Sequence, residues 1–194
     1  MDKSANPAPL GLLGFGMTTV LLNLHNAGVI QNSAMILAMG VMVGGVAQIL
    51  AGLLEFRRGN TFATTAFTAY GAFWISLVML LILPDLLPKS ATAQAPDAIA
   101  MGWYLLLWGI FTAFMTVGTW KSNRVLQFVF ASLTILFGLL VLHKWFDTET
   151  SKIFGRIAGW EGIVCGASAI YLGMAEVINE QLGTTILPIG ARSA

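Results

Sequence analysis

The chain contains six apolar stretches, each close to the roughly 20 residues that a helix needs to cross about 30 Å of hydrocarbon. They cover 10–29, 33–54, 63–83, 99–120, 125–142 and 157–178. Charged or helix-breaking segments separate them: Glu55-Phe56-Arg57-Arg58-Gly59-Asn60, the run 84–97 with Pro84, Asp85, Pro96 and Asp97, Lys121-Ser122-Asn123-Arg124, and 143–152. No water satisfies backbone polar groups inside a bilayer, so a spanning chain is either helical or a closed barrel. None of the six stretches alternates apolar and polar residues as a membrane barrel strand does. The fold class that follows is an all-α membrane protein, with six transmembrane helices forming one transport-sized domain over residues 1–194.

Charge excludes several function classes. Only 10% of the 194 residues are charged, against about a quarter in an average soluble domain. A net charge of +1, without a basic run, provides no clustered cationic face for nucleic-acid phosphates. A single cysteine, Cys165, rules out an intramolecular disulfide and a four-cysteine metal site, and two histidines, His25 and His143, argue against zinc or haem. Neither a metal nor a cofactor is expected. No Ser-His, His-Asp or Cys-x-x-Cys constellation places two reactive groups in one membrane layer, so an intramembrane enzyme is not expected either.

Six spans put both termini on one side. Lys3, Arg57, Arg58, Lys121, Arg124 and Arg192 fall there, and Lys89, Lys144, Lys152 and Arg156 fall opposite. The paired basic residues of the two short loops carry most of the orienting signal and point to cytoplasmic termini. Met1-Asp2-Lys3-Ser4 is too short and too weakly basic for a signal-peptide n-region, so the first apolar run is expected to stay in the mature protein.

Small residues recur at four-residue spacing in the second stretch (Gly40, Gly44, Gly52, with Gln48 between them) and in the sixth (Gly155 and Gly159; Gly162 and Gly166). Such spacing lets helix backbones approach closely. Packing within one subunit is the favoured use, and a subunit interface the other.

Every Lys and Arg lies at a span end or in a loop, so a solute path through the membrane must be built from neutral groups. Phe15, Thr19, Asn23 and Asn26 share one face of the first span. Asparagine facing lipid is costly, so that face points at protein or at a wet path. Tyr104, Trp108, Thr112, Thr116 and Thr119 form a second stripe in the fourth span, and Gln48 sits between two glycines of the second. Interhelical hydrogen bonding accounts for each stripe singly; together, in a chain without buried charge, they suggest a narrow polar and aromatic pore. Glu176 and Glu180 sit near the end of the sixth stretch, which leaves Glu161 as the candidate for a carboxylate inside the apolar zone, read either as an interfacial group beside Trp160 or as a proton carrier. His25 is expected to hydrogen-bond at an interface.

Asn6-Pro7-Ala8 is the tripeptide that water channels carry twice, after their second and fifth spans; here it occurs once, before the first. Its physical reading is a helix start: Asn6 as N-cap, with Pro7 and Pro9 in the first turn, where missing amide hydrogens have no intrahelical acceptor. The positive end of the helix and the Asn6 amide would then be available to a small anion.

The stretches NPAPLGLLGFGMTTVLLNLHN, GGVAQILAGLLEFRRGNTFATTAFTAYGAFW, RVLQFVF and GASAIYLGMAEVINEQLGTTILPIG resemble the acetate uptake transporter family, and closely its bacterial succinate–acetate permeases. The similarity runs from Asn6 to about Gly190 and departs at 84–97, at 144–156 and at Glu161. The resemblance implies six helices per protomer, a homohexamer in the inner membrane, and passage of acetate, with succinate as a related substrate, through each protomer. It also implies an aromatic and aliphatic constriction, carried to Phe15, Tyr70 and Leu133. Their spacing is compatible with this, because each lies about five to eight residues from the start of a parallel span, a spread of less than one helical turn. Asn6, Thr19, Asn23, Gln48 and Trp108 are the expected solute donors, and Leu133 and Ala169 are expected to set the size limit. A hexameric channel for urea or another small neutral solute would use similar groups.

Overall fold

The computed structural model describes residues 4–87 and 94–190, so Lys3, Lys89 and Arg192 of the charge argument lie outside the described residues. Six helices are long and apolar enough to span a bilayer: α1 (Ala8–Asn26), α2 (Ala34–Arg57), α3 (Thr61–Leu86), α4 (Ala98–Gly118), α5 (Arg124–Trp145) and α6 (Thr148–Leu182). No strand occurs among the described residues. Apart from the stretch 87–97, the connections are of two to seven residues, and the chain turns back between successive helices. Arg58 at the end of α2 bonds Asn6 before α1, and the Arg124 amide at the start of α5 bonds the Gly190 carbonyl beyond α6.

Side-chain caps set the helix starts. Asn60, Asp97, Asn123 and Asp147 each accept the amide hydrogen three residues on, satisfying donors that have no intrahelical partner. The exposed Asp147 carboxyl is held below its usual range by the Thr150 amide and then by the Thr150 hydroxyl. This cap corrects the sequence boundary at 157: α6 begins at Thr148, and its 35 residues extend about 52 Å, well beyond the hydrocarbon. Hydropathy marks where a helix is apolar, whereas its cap marks where it begins. α1 also differs by one step. It starts at Ala8 with Pro7 as N-cap, and Asn6 instead accepts the Ala8 amide from two residues back at 3.2 Å.

α2 contains a π-helical segment, Gly40–Ala47, just before Gln48. Its wider turn shifts the register of everything after it, and such segments are enriched at functional sites.

The small-residue spacing serves contacts inside the chain. α1 packs most extensively against α6, where Gly16 and Gly166 meet: a Cβ on Gly16 would lie 2.6 Å from the Gly166 carbonyl oxygen, and one on Gly166 would lie 2.7 Å from that of Gly16. α2 and α3 meet similarly, with Gly71 against the Gly45 carbonyl. Close backbone approach gives the packing that a lipid solvent does not otherwise drive. α4 is the outermost helix and leans chiefly on α5.

Replacing Gly166 by leucine forces α1 and α6 apart. Overpacking of this kind costs about 1–3 kcal/mol, so thermal unfolding in detergent should show a Tm several degrees lower, while alanine replacement of the exposed Gly138, which has open space around it, should not lower it.

Candidate functional site

Two cavities lie one above the other between α1, α3 and α5, and the same three side chains wall both: Phe15, Tyr70 and Leu133. All three are buried, and the Phe15 and Tyr70 ring centroids stand 6.0 Å apart at 45°. The cavity nearer the termini adds Leu12, Phe67, Phe130 and the Gln48 side chain from α2. The far cavity adds Thr19, Asn23, Asn26, Phe73 and Trp74. One level of bulky side chains therefore stands between the two cavities.

The polar stripe of α1 faces these cavities. Asn23 donates to the Thr19 carbonyl at 2.9 Å and accepts from Asn26 at 3.1 Å, a short amide chain along the far cavity. Thr19 and Gln48 are nearly inaccessible, at 2% and 1%, yet the Thr19 hydroxyl and both Gln48 amide atoms have no protein partner. A buried polar group without a partner costs about 1–3 kcal/mol, and a path for a polar solute is where such groups are useful. Trp74 also lines the far cavity, and its buried indole N–H has no partner. Sequence reasoning missed Trp74 because a tryptophan within an apolar run carries no mark of what its nitrogen faces.

Several expected donors stand elsewhere. The α4 stripe does not line either cavity. Trp108 packs behind Tyr70, ring centroids 6.3 Å apart, and edge-on against Phe73 at 5.1 Å. Thr112, Thr116 and Thr119 bond to backbone carbonyls of their own helix, and Thr116 reaches α5 at Thr134, 2.9 Å away. A threonine in a helix can satisfy its hydroxyl within the preceding turn, so the stripe is consistent with a supporting layer. Ala169 is fully buried on α6 in the same apolar cluster as Phe15 and Leu133, outside the lining of both cavities.

Asn6 lies at the mouth on the terminal side, and its amide is engaged. It accepts from Arg58 at 2.7 Å and donates to Glu176 at 2.9 Å. The expectation of a free amide for an anion is corrected by this network, because a neighbouring carboxylate and guanidinium already occupy its donor and acceptor. Glu55, placed by sequence in a separator, is almost fully buried at the end of α2, where Asn60 at 2.8 Å and Arg58 at 3.3 Å hold it. Together, Glu55, Arg58, Asn6 and Glu176 tie the ends of α2 and α6 to the start of α1. An open vestibule lined by Asn6, Glu176, Asn179 and Thr185 adjoins them.

Glu161 sits between α6 and α5 with one carboxyl oxygen hydrogen-bonded to the Ser132 hydroxyl and the other without a partner, away from both cavities. His25, in the last turn of α1, hydrogen-bonds the Ile30 carbonyl just beyond the helix at 3.2 Å.

A model of the GPR1/FUN34/yaaH family matches residues 1–190. The chain is 58% identical over 188 residues to the succinate-acetate/proton symporter SatP of Escherichia coli strain K12, covering 97% of this chain and 96% of that protein. It is 32% identical over 197 residues to acetate permease A of Emericella nidulans, covering 96% of this chain and 66% of the relative. A solved structure described as the bacterial acetate channel SatP superposes with a TM-score of 0.91 at 57% identity, covering 97% of this chain and all of that one.

Removing the Asn6 amide leaves Glu176 and Arg58 without their shared partner. Asn6→Ala should lower stability by about 1 kcal/mol, the net worth of an ordinary hydrogen bond, seen as a lower unfolding temperature than that of the parent in the same detergent.

Proposed function

The chain belongs to the GPR1/FUN34/yaaH family, and from that premise we propose that it carries acetate, and succinate as a second substrate, across a membrane together with protons. The path is the line of cavities within one protomer. The observation that carries this reading is that Phe15, Tyr70 and Leu133 wall both cavities at once. Named relatives are a symporter, a permease and a channel, which supports transport rather than catalysis. The expected assembly is a homohexamer in the inner membrane, surrounded by lipid, with cytoplasmic termini; the loop charges Arg57, Arg58, Lys121 and Arg124 support that orientation.

The chemistry of the wall explains why a proton should accompany the solute. Thr19, Gln48, Asn23 and Trp74 can each replace part of a carboxylate's hydration shell on one side of the constriction or the other. At the constriction itself the solute meets two rings and a leucine, with no cation in the lining. A bare carboxylate there loses hydration without a compensating charge. A carboxylic acid with a pKa of roughly 4.3 is only about one part in several hundred neutral at pH 7, and each unit of acidification raises that fraction about tenfold. Crossing as the acid, or with a proton alongside, removes most of the desolvation cost. Leu133, with Ala169 behind the wall, limits width.

The test is uptake of labelled acetate into liposomes containing the purified protein, after subtracting the leak of acetic acid through empty ones. An alkaline interior should accelerate uptake, and excess succinate, but not urea, should inhibit it. Flux equal to that of empty liposomes would overturn the reading. Leu133→Ala should raise lactate entry roughly tenfold, the change produced by lowering a barrier by ~1.4 kcal/mol; unchanged selectivity would exclude the width sieve.

Glu161 faces Ser132 rather than the path. Glu161→Gln should therefore transport acetate with the parent's dependence on external pH, and a flattened pH profile would instead assign it to the proton route.

A further inference from the structure

We propose that Thr112 is the positioning residue of the constriction: it accepts a hydrogen bond from the Tyr70 hydroxyl, so that Tyr70 presents its ring to the solute and keeps its O–H turned away. The inference rests on the transport reading above and specifies how that same site selects its substrate.

Tyr70 Oη and Thr112 Oγ1 lie 2.9 Å apart, both residues buried, Thr112 completely. A threonine hydroxyl has one hydrogen to donate. Thr112 Oγ1 is 2.7 Å from the Trp108 carbonyl oxygen, which can only accept. Giving the Thr112 hydrogen to Trp108 leaves Oγ1 as acceptor for Tyr70, and both hydrogens are satisfied. The reverse arrangement leaves the Tyr70 hydrogen buried without an acceptor, so its lost hydration goes uncompensated.

The direction of this bond has a chemical consequence. Thr112 lines neither cavity, so the tyrosine hydroxyl points from the wall into the layer behind it. Phe111 stands edge-on to the same ring, centroids 5.4 Å apart, and limits its swing. The narrowest level thus offers a passing carboxylate ring faces and edges and no O–H donor. A tyrosine that could turn its hydroxyl inward would provide a binding site there and a wider gap when it moved. α4, which by sequence promised a polar pore stripe, instead sets the orientation of a residue on α3.

The experiment compares lactate with acetate entry in liposomes holding Thr112→Val, Thr112→Ser, Tyr70→Phe and the Thr112→Val, Tyr70→Phe double variant. Thr112→Val should raise the lactate-to-acetate ratio about fivefold, the change that a net hydrogen bond of ordinary strength corresponds to. Thr112→Ser should restore the parent ratio. In the Tyr70→Phe background Thr112→Val should add nothing, because the partner hydroxyl is already gone. A parent-like ratio in Thr112→Val, or the same increase with and without the Tyr70 hydroxyl, overturns the proposal. Parent protein without acetate flux would instead defeat the transport reading, and a second measurement then still decides the bond. With Tyr104 and Tyr171 replaced by phenylalanine, the tyrosine Raman doublet reports Tyr70 alone; it should show a hydrogen-bond donor that is lost in Thr112→Val, and a doublet indifferent to that change also overturns the proposal.

Discussion

In hydrocarbon there is no water to satisfy a polar group, and almost every feature of this chain follows from that. Backbone amides and carbonyls must pair within each segment, which makes the spans helices. At their starts, Asn60, Asp97, Asn123 and Asp147 take up amide hydrogens that the helix cannot. Within the spans, Thr112, Thr116 and Thr134 return their hydroxyls to carbonyls one turn back. Against this background the exceptions are informative. Thr19, Gln48 and Trp74 keep buried polar atoms unpartnered where two cavities meet three bulky side chains. The Thr64 and Thr68 hydroxyls and one Glu161 oxygen are unpartnered elsewhere, so it is the gathering of Thr19, Gln48 and Trp74 around two adjoining cavities that points to a polar passenger.

Two layers form the site. The inner one, from α1, α3 and α5, touches the cavities. The outer one, α4, orients the inner through Tyr70–Thr112 and Thr116–Thr134. α6 fixes α1 from the other side by glycine contacts, and a Cβ at Gly162 would collide with the Asn23 amide that lines the far cavity. Packing therefore reaches the chemistry directly: a small residue on α6 leaves room for a polar one on α1. At the terminal mouth the Glu55, Arg58, Asn6 and Glu176 network joins three helix ends, so the start of α1 is held by side chains far apart in sequence.

Much of this was legible beforehand. Span number followed from hydropathy, and the Phe15, Thr19, Asn23 and Asn26 stripe followed from helical periodicity, because both are local properties of the chain. The boundaries of α6 were not legible, since the Asp147 cap continues a helix through residues that hydropathy counts as loop. Glu55 looked like a loop charge for the same reason. Trp108 and Asn6 were singled out for donor groups they do possess, but a sequence does not say that Trp108 packs behind the wall or that the Asn6 amide is already engaged. Trp74 was passed over because nothing local distinguishes an indole that faces a cavity from one that faces lipid.

The sequence by itself determined the solvent in which this protein folds, the number of its helices and the polar face of α1, all of which depend on residues a few positions apart. Only the tertiary structure decided which polar atoms remain without partners, which stripe lines the cavities and which supports their wall, and which way the Tyr70 hydroxyl points. Those questions concern pairs such as Tyr70 and Thr112, or Asn6 and Glu176, whose separation in space is set by helix packing rather than by spacing along the chain.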